Sequence, residues 1–135
     1  MPITDTSWLY AFINDLDAHH NQAIADAQAA NSLVVPSLVL AETLQLAYFR
    51  SRQEHGETQA HRMERQVRQD LEGIAGLQLL PSYDAVLSAT IHDRHSKLSY
   101  VDAATIAVAI RTGEPLLTFD ETQKKAFQAE RRAAS

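Results

Sequence analysis

"SYVDAATIAVAIRTGEPLLTFD", residues 99–120, holds a helix, a stop, a strand and an acid in that order. From Tyr100 to Thr112 the side chains are apolar almost all round, the pattern of a buried helix, and Gly113 followed by Pro115 ends it. Leu116, Leu117 and Phe119 then read as a short apolar strand that carries Asp120, with Glu121 beside it, to its carboxyl end. The arrangement recurs at the other terminus, where "PITDTSW" places Asp5 just after Ile3.

Helical and extended patterns alternate between these two acids. Trp8, Leu9, Ala11, Phe12 and Ile13 predict a helix over 7–14, and a second runs over 17–31. "SLVVP" (32–36) is a β-branched strand closed by Pro36, and Ser37 is placed to cap a helix covering "LVLAETLQLAYFRSR". A polar helix follows over 57–74, then a strand at 77–80, a turn at Pro81 and a helix capped by Ser82. A last amphipathic helix starts near Glu121 and frays into "ERRAAS".

Strands separated by helices need crossover connections and therefore pair in parallel. The expected fold is a three-layer α/β/α domain with a central, mainly parallel sheet, one domain over residues 1–135. The first strand is polar and opens with Pro2, which leaves its length and pairing open. Ligands of such folds sit outside the carboxyl ends of the strands, where Asp5 and Asp120 both lie.

The chain has no cysteine, so disulfides, thiolate metal sites and a Cys nucleophile are excluded, and a reducing compartment, the cytoplasm, is expected. The longest apolar run, "LVVPSLVLA", is too short to span a bilayer. With 17 acidic against 12 basic residues the net charge is −5, which argues against a broad basic face for nucleic acid. Carboxylates neutralised by divalent ions would bring the effective charge close to zero.

Four acids stand out. Asp5 and Asp120 both precede helices and read equally well as N-caps, and Thr118 with Glu121 spells a capping box. Asp102 also fits a box with Ser99, yet it sits on an apolar helix where an ionised carboxylate needs a compensating partner. Glu42 lies about a turn inside its helix among Leu38, Val39 and Leu46, where capping does not explain it; it either snorkels to water or faces the cleft of the aspartates. Four converging carboxylates repel one another unless a cation joins them, and oxygen ligands without thiolate select Mg²⁺ or Mn²⁺. Such an ion polarises a phosphoryl oxygen and acidifies a water, the two needs of phosphodiester hydrolysis.

"TDTSW", "LVVPSLVLAET" and "LSYVDAATIAVAIRTGEPLLTFD" together resemble the successive signature segments of PIN-domain nucleases, most closely the small toxins of VapC-type toxin–antitoxin pairs. The resemblance spans nearly the whole chain. It implies that Asp5, Glu42, Asp102 and Asp120 are the catalytic and metal-binding acids, with Thr6, Ser7 and Thr118 as supporting hydroxyls. It further implies a Mg²⁺- or Mn²⁺-dependent endoribonuclease with a water nucleophile, a homodimer, and a cognate antitoxin whose peptide enters the cleft. Glu121 is an additional acid outside the pattern, either a ligand or a helix-dipole charge, and Asp84 in "SYDAV" reads as a surface or capping residue.

An acidic cleft cannot itself attract RNA, so a flanking cation is needed, and the candidates are Arg50 and Arg52. Tyr48, Phe49 and Trp8 can stack on bases or serve the core. The six histidines show no complete zinc spacing and read as surface residues. Two other functions remain open. A Mg²⁺-dependent phosphatase with Asp5 as nucleophile would need a second Asp at the position of Ser7. A noncatalytic PIN-like module binding RNA or protein would keep the acids as caps only.

Overall fold

The computed structural model of the chain describes residues 1–74, 76–80 and 83–135. In chain order its elements are β1 (Ile3–Thr4), α1 (Thr6–Ile13), α2 (His20–Ala29), β2 (Leu33–Pro36), α3 (Ser37–His55), α4 (Glu57–Glu72), β3 (Leu77–Leu80), α5 (Ala85–Arg94), α6 (Tyr100–Thr112), β4 (Leu116–Leu117) and α7 (Glu121–Ala134). The four strands form one sheet in the order β3-β2-β1-β4, every pair parallel. Helices cover both faces, which makes a three-layer α/β/α fold.

The alternation of side chains along β2 divides the core in two. Leu33 and Val35 pack with Trp8, Leu9, Val39 and Leu71 on the face covered by α1 to α4. Val34 turns the other way, with Ile3, and meets Ile91, Ile106 and Phe127 from α5, α6 and α7. All four residues of β2 are buried, as expected of a parallel strand covered on both sides. In α6 the whole run Ala103–Ala109 is buried, and Gly113, at φ 70°, adopts the left-handed conformation that ends the helix.

β1 is short but central. Val34 N–H donates to Pro2 O at 2.9 Å, Ile3 N–H to Pro115 O at 2.8 Å, and Asp5 N–H to Leu117 O at 3.1 Å. Pro2 thus supplies only the acceptor it has, so its missing N–H costs the sheet nothing. Ile3 pairs with Val34 on one side and Leu116 on the other.

Several expected boundaries shift. α2 begins at His20 rather than near 17, because Asp17 Oδ1 accepts the His19 N–H at 2.8 Å and holds a turn there. Ser37 is the first residue of α3 rather than its cap. β4 ends at Leu117, two residues before Phe119. The expected turn at Pro81 and cap at Ser82 fall outside the described residues; α5 is capped by Asp84, which accepts Leu87 N–H at 2.8 Å and Arg111 Nε at 2.9 Å.

The strand order places the site. From β1 the chain winds outward through β2 to β3, then returns to the opposite side of β1 as β4. The order reverses between β1 and β4, and a crevice opens beyond their carboxyl ends.

Candidate active site

Asp5 stands at the floor of that crevice, immediately after β1, and is 1% exposed. It caps α1 by accepting Trp8 N–H at 2.8 Å. Ser7 Oγ donates to it at 2.8 Å, and the Thr118 hydroxyl donates to Oδ2. Ser7 Oγ also accepts Phe119 N–H at 3.0 Å, and Thr118 Oγ1 accepts Asp120 N–H at 3.0 Å. These hydroxyls fasten the loop after β1 to the loop after β4. Burial pushes the Asp5 carboxyl from 3.8 up to about 6, against the opposing hydrogen bonds of Thr118, Trp8 and Ser7, and the charge of Asp102 adds to the rise.

The cleft above Asp5 has a volume of about 440 Å³ and is lined by all four predicted acids. Asp102 comes from the first turn of α6, where its N–H donates to Ser99 Oγ at 3.1 Å. Its carboxyl is raised, first by burial and then by the charge of Glu42, with a smaller push from Asp120. Glu42, partly buried on α3, lines the wall, so it does not simply reach away to water. Asp120 caps α7 by accepting Gln123 N–H at 3.0 Å, which replaces the Thr118–Glu121 box expected from sequence. Four segments of the chain thus bring carboxylates close enough for Asp102 to feel the charge of Glu42 and Asp120, and Asp5 that of Asp102.

A family model for the PIN domain matches residues 3–127. The chain belongs to the PIN-domain family. Its fold is similar to that of Mycobacterium tuberculosis VapC20, a sarcin-ricin loop cleaving toxin, with a TM-score of 0.71 at 22% identity over 93% of this chain and 95% of that one. It is also similar to PAE2754 from Pyrobaculum aerophilum, with a TM-score of 0.65 at 18% identity over 98% and 93% of the two chains. A search of curated proteins finds no match.

Other residues of this PIN domain complete the cleft. Gln123, 0% exposed, lies between two of the acids. With its amide nitrogen turned toward them, it donates to Asp5 Oδ2 at 2.5 Å and to Asp102 Oδ1 at 3.3 Å. Sequence reasoning passed over it, although Gln123, Ala126, Phe127 and Glu130 form the buried stripe of α7 at spacings of three and four. His19, expected at the surface, also lines the cleft and stacks on Phe119 with ring centroids 4.5 Å apart.

The two arginine candidates separate. Arg50 lines the cleft, its guanidinium 4.7 Å above the Tyr10 ring and its Nη1 donating to Tyr10 Oη at 2.9 Å. Arg52 is exposed and does not line it, because residues two apart on a helix point to opposite sides. Glu121 likewise lies outside the lining, in the first turn of α7, where it complements the helix dipole. Trp8 is a core residue, stacked on Phe12 and donating through Nε1 to Asp26 Oδ2 at 3.0 Å.

The donors suit a hard divalent ion. Among the described residues no three Asp, Glu or His side chains form a ready-made ligand cage. Mg²⁺ does not need one, since it keeps several waters and takes one or two carboxylates. The cleft offers carboxylates raised first by burial and further by one another's charge, and no thiolate. Thr6 Oγ1, on the cleft wall, is buried without a hydrogen-bond partner among the described residues, an unspent group for a water or phosphate oxygen.

Proposed function

We propose that this PIN domain is a metal-dependent endoribonuclease that hydrolyses RNA phosphodiester bonds, the toxin of a toxin–antitoxin pair. Asp5, Glu42, Asp102 and Asp120 are its catalytic and metal-binding acids. The observation that carries the reading is the pair Asp5 and Asp102: both carboxyls are raised, chiefly by burial, and each adds to a repulsion that a cation would relieve. A cap works as well when exposed. Burying Asp5 at the switch point of the sheet makes little sense for a module that keeps its acids as caps alone.

When bound, Mg²⁺ or Mn²⁺ supplies Lewis-acid polarisation of a phosphoryl oxygen and lowers the pKa of a water. The protein's own part is to orient and exclude. Ser7 and Thr118 lock the Asp5 carboxylate in one orientation, and Gln123 spaces it from Asp102. Thr6 offers its free hydroxyl, and Arg50, held over the Tyr10 ring, meets a phosphate next to the reacting one. The stacked rings of His19 and Phe119 form an aromatic rim against which a base can rest.

VapC20, by its description, is a toxin that cleaves the sarcin-ricin loop. A cognate antitoxin, a homodimeric state and a cytoplasmic location are part of the same proposal for this chain. No helix among the described residues is long and apolar enough to cross a membrane.

The test is a thermal melt in EDTA and in rising Mn²⁺, paired with hydrolysis of bis(4-nitrophenyl) phosphate and of total RNA. Mn²⁺ should raise the melting temperature by binding the native state, and the diester and RNA should be cut only with the ion. A melt indifferent to Mn²⁺, with neither substrate cleaved, refutes the proposal.

A further inference from the structure

On the far side of α7 from the acids lies a second and larger cleft, of about 540 Å³, whose charge is the reverse. Arg94, His95 and Lys97, from the end of α5 and the loop after it, face Thr122 and Lys125 of α7. Lys97 and Lys125 are exposed, and their side chains make no ion pair or hydrogen bond among the described residues. In a protein with a net charge of −5, two unpaired cations facing one another across a cleft are a local excess.

Glu130, only 7% exposed, holds two of the lining residues in place. It accepts from Arg94 through both Nε and Nη2 and bonds His95 Nε2 at 2.9 Å. The guanidinium is therefore fixed in orientation, with Nη1 left over, so little side-chain freedom is lost when it meets an anion.

The two clefts are neighbours. Asp120 and Gln123 line the acidic one, Thr122 and Lys125 the basic one. On a helix, residues two apart point to opposite sides and residues three apart share a side, so the first turns of α7 form the ridge between them. A helix with its side chains is about 10–12 Å across, a distance that a few nucleotides of single strand cover. The loop carrying Lys97 runs into Ser99, the cap of α6, whose first turn carries Asp102 of the acidic cleft.

Resting on the nuclease reading above, we propose that the basic cleft is a docking site for the backbone phosphates of single-stranded RNA. The strand crosses α7 from the acids and its flanking phosphates pair with Lys97, Lys125 and the free edge of Arg94. Affinity from this cleft is electrostatic and independent of base identity.

The experiment measures binding of a fluorescein-labelled oligouridylate in Ca²⁺, over a series of salt concentrations, for the wild type and for Lys97→Ala with Lys125→Ala. Both lysines are exposed and unpaired, so their removal spares the fold, which a melting curve checks; Arg94 is left alone because its loss would strand Glu130. A control of equal charge, Lys124→Ala with Arg132→Ala, removes two cations of α7 that lie outside the cleft. The cleft pair should flatten the slope of log affinity against log salt by about 1.4, roughly 0.7 for each of two phosphates, and the control should not. An unchanged slope, or an equal change in the control, overturns the docking site. The Mn²⁺ melt and the cleavage of bis(4-nitrophenyl) phosphate and RNA by the wild type are read separately: failure of all three removes the nuclease reading, while the salt slope still decides the cleft.

Discussion

Replacing Asp5 with Asn should make the metal-free protein more stable at neutral pH. A carboxyl held at about 6 in the fold and 3.8 in the unfolded chain binds more protons folded than unfolded between those values. Its contribution to stability is therefore fully present below 3.8, falls as pH rises through about 6, and is flat above. At neutral pH the ionised group costs the folded state roughly 3 kcal/mol, at about 1.4 kcal/mol per pH unit. Because Asp5 is 1% exposed, solvent screening takes little from that figure. Asn keeps the cap, since its amide oxygen accepts the Trp8 N–H, and the hydroxyls of Ser7 and Thr118 can rotate to accept from its nitrogen. The Asn nitrogen would face the Gln123 amide nitrogen, however, and losing the Gln123 bond takes back about 1–2 kcal/mol. The net gain is about 1–2 kcal/mol, a rise in Tm of about 3–8 °C for a chain of this size. Melts of both proteins in EDTA from pH 4 to 8 isolate the Asp5 effect as a difference, which should grow with pH and level off above about 6. A variant less stable than wild type at neutral pH, or a difference that does not vary with pH, would mean that Asp5 is a satisfied cap and carries no strain.

Asp102→Asn should also stabilise the protein in EDTA, by relieving its repulsion with Glu42 and Asp120, while blunting the rise in Tm expected with Mn²⁺; a rise equal to wild type would take Asp102 out of the proposed metal site. Gln123→Leu should cost about 1–3 kcal/mol in chemical denaturation, through the loss of a buried donor to Asp5 and Asp102. Gln123→Glu should cost more in EDTA and recover with Mn²⁺, an order that would be reversed if the amide only filled space. Glu130 is held below the usual carboxylate value, first by its hydrogen bond from Arg94, so the stability it contributes is present above 4.5 and lost as pH falls through its lower folded value. Glu130→Gln should therefore lower Tm at neutral pH and converge on wild type in acid, and a deficit that persists at low pH would contradict this.

Which parts of the molecule could be read in advance follows from how local their causes are. The buried helix α6, its stop at Gly113 and the apolar β2 carry their own periodicity and terminators, so element type was legible there. For β1 only the length and pairing were not, because two residues carry no period; Ile3 finds its partners in Val34 and Leu116, far away in the chain. The start of α2 moved for a related reason, since the Asx turn at Asp17 competes with helix over the same residues. At the site, the order of acids marked Asp5, Glu42, Asp102 and Asp120 as candidates, yet each also had a local explanation as a cap or a snorkelling side chain. Arg50 and Arg52 looked alike until the helix turned one to Tyr10 and the other to solvent.

The sequence by itself determined the α/β class, the parallel pairing and the placing of two aspartates at strand ends, because these follow from hydrophobic period and from the length of connection that a parallel pair requires. Tertiary structure alone decided that those aspartates share a cleft with Glu42 and Asp102. Strand order is set by which faces bury best against α1 to α4 and α5 to α7, a competition among segments far apart in the chain. The same packing raised the Asp5 carboxyl, set Gln123 between two acids and opened a basic cleft behind α7. None of these is a property of any one stretch, since desolvation and charge coupling exist only once distant groups are brought together.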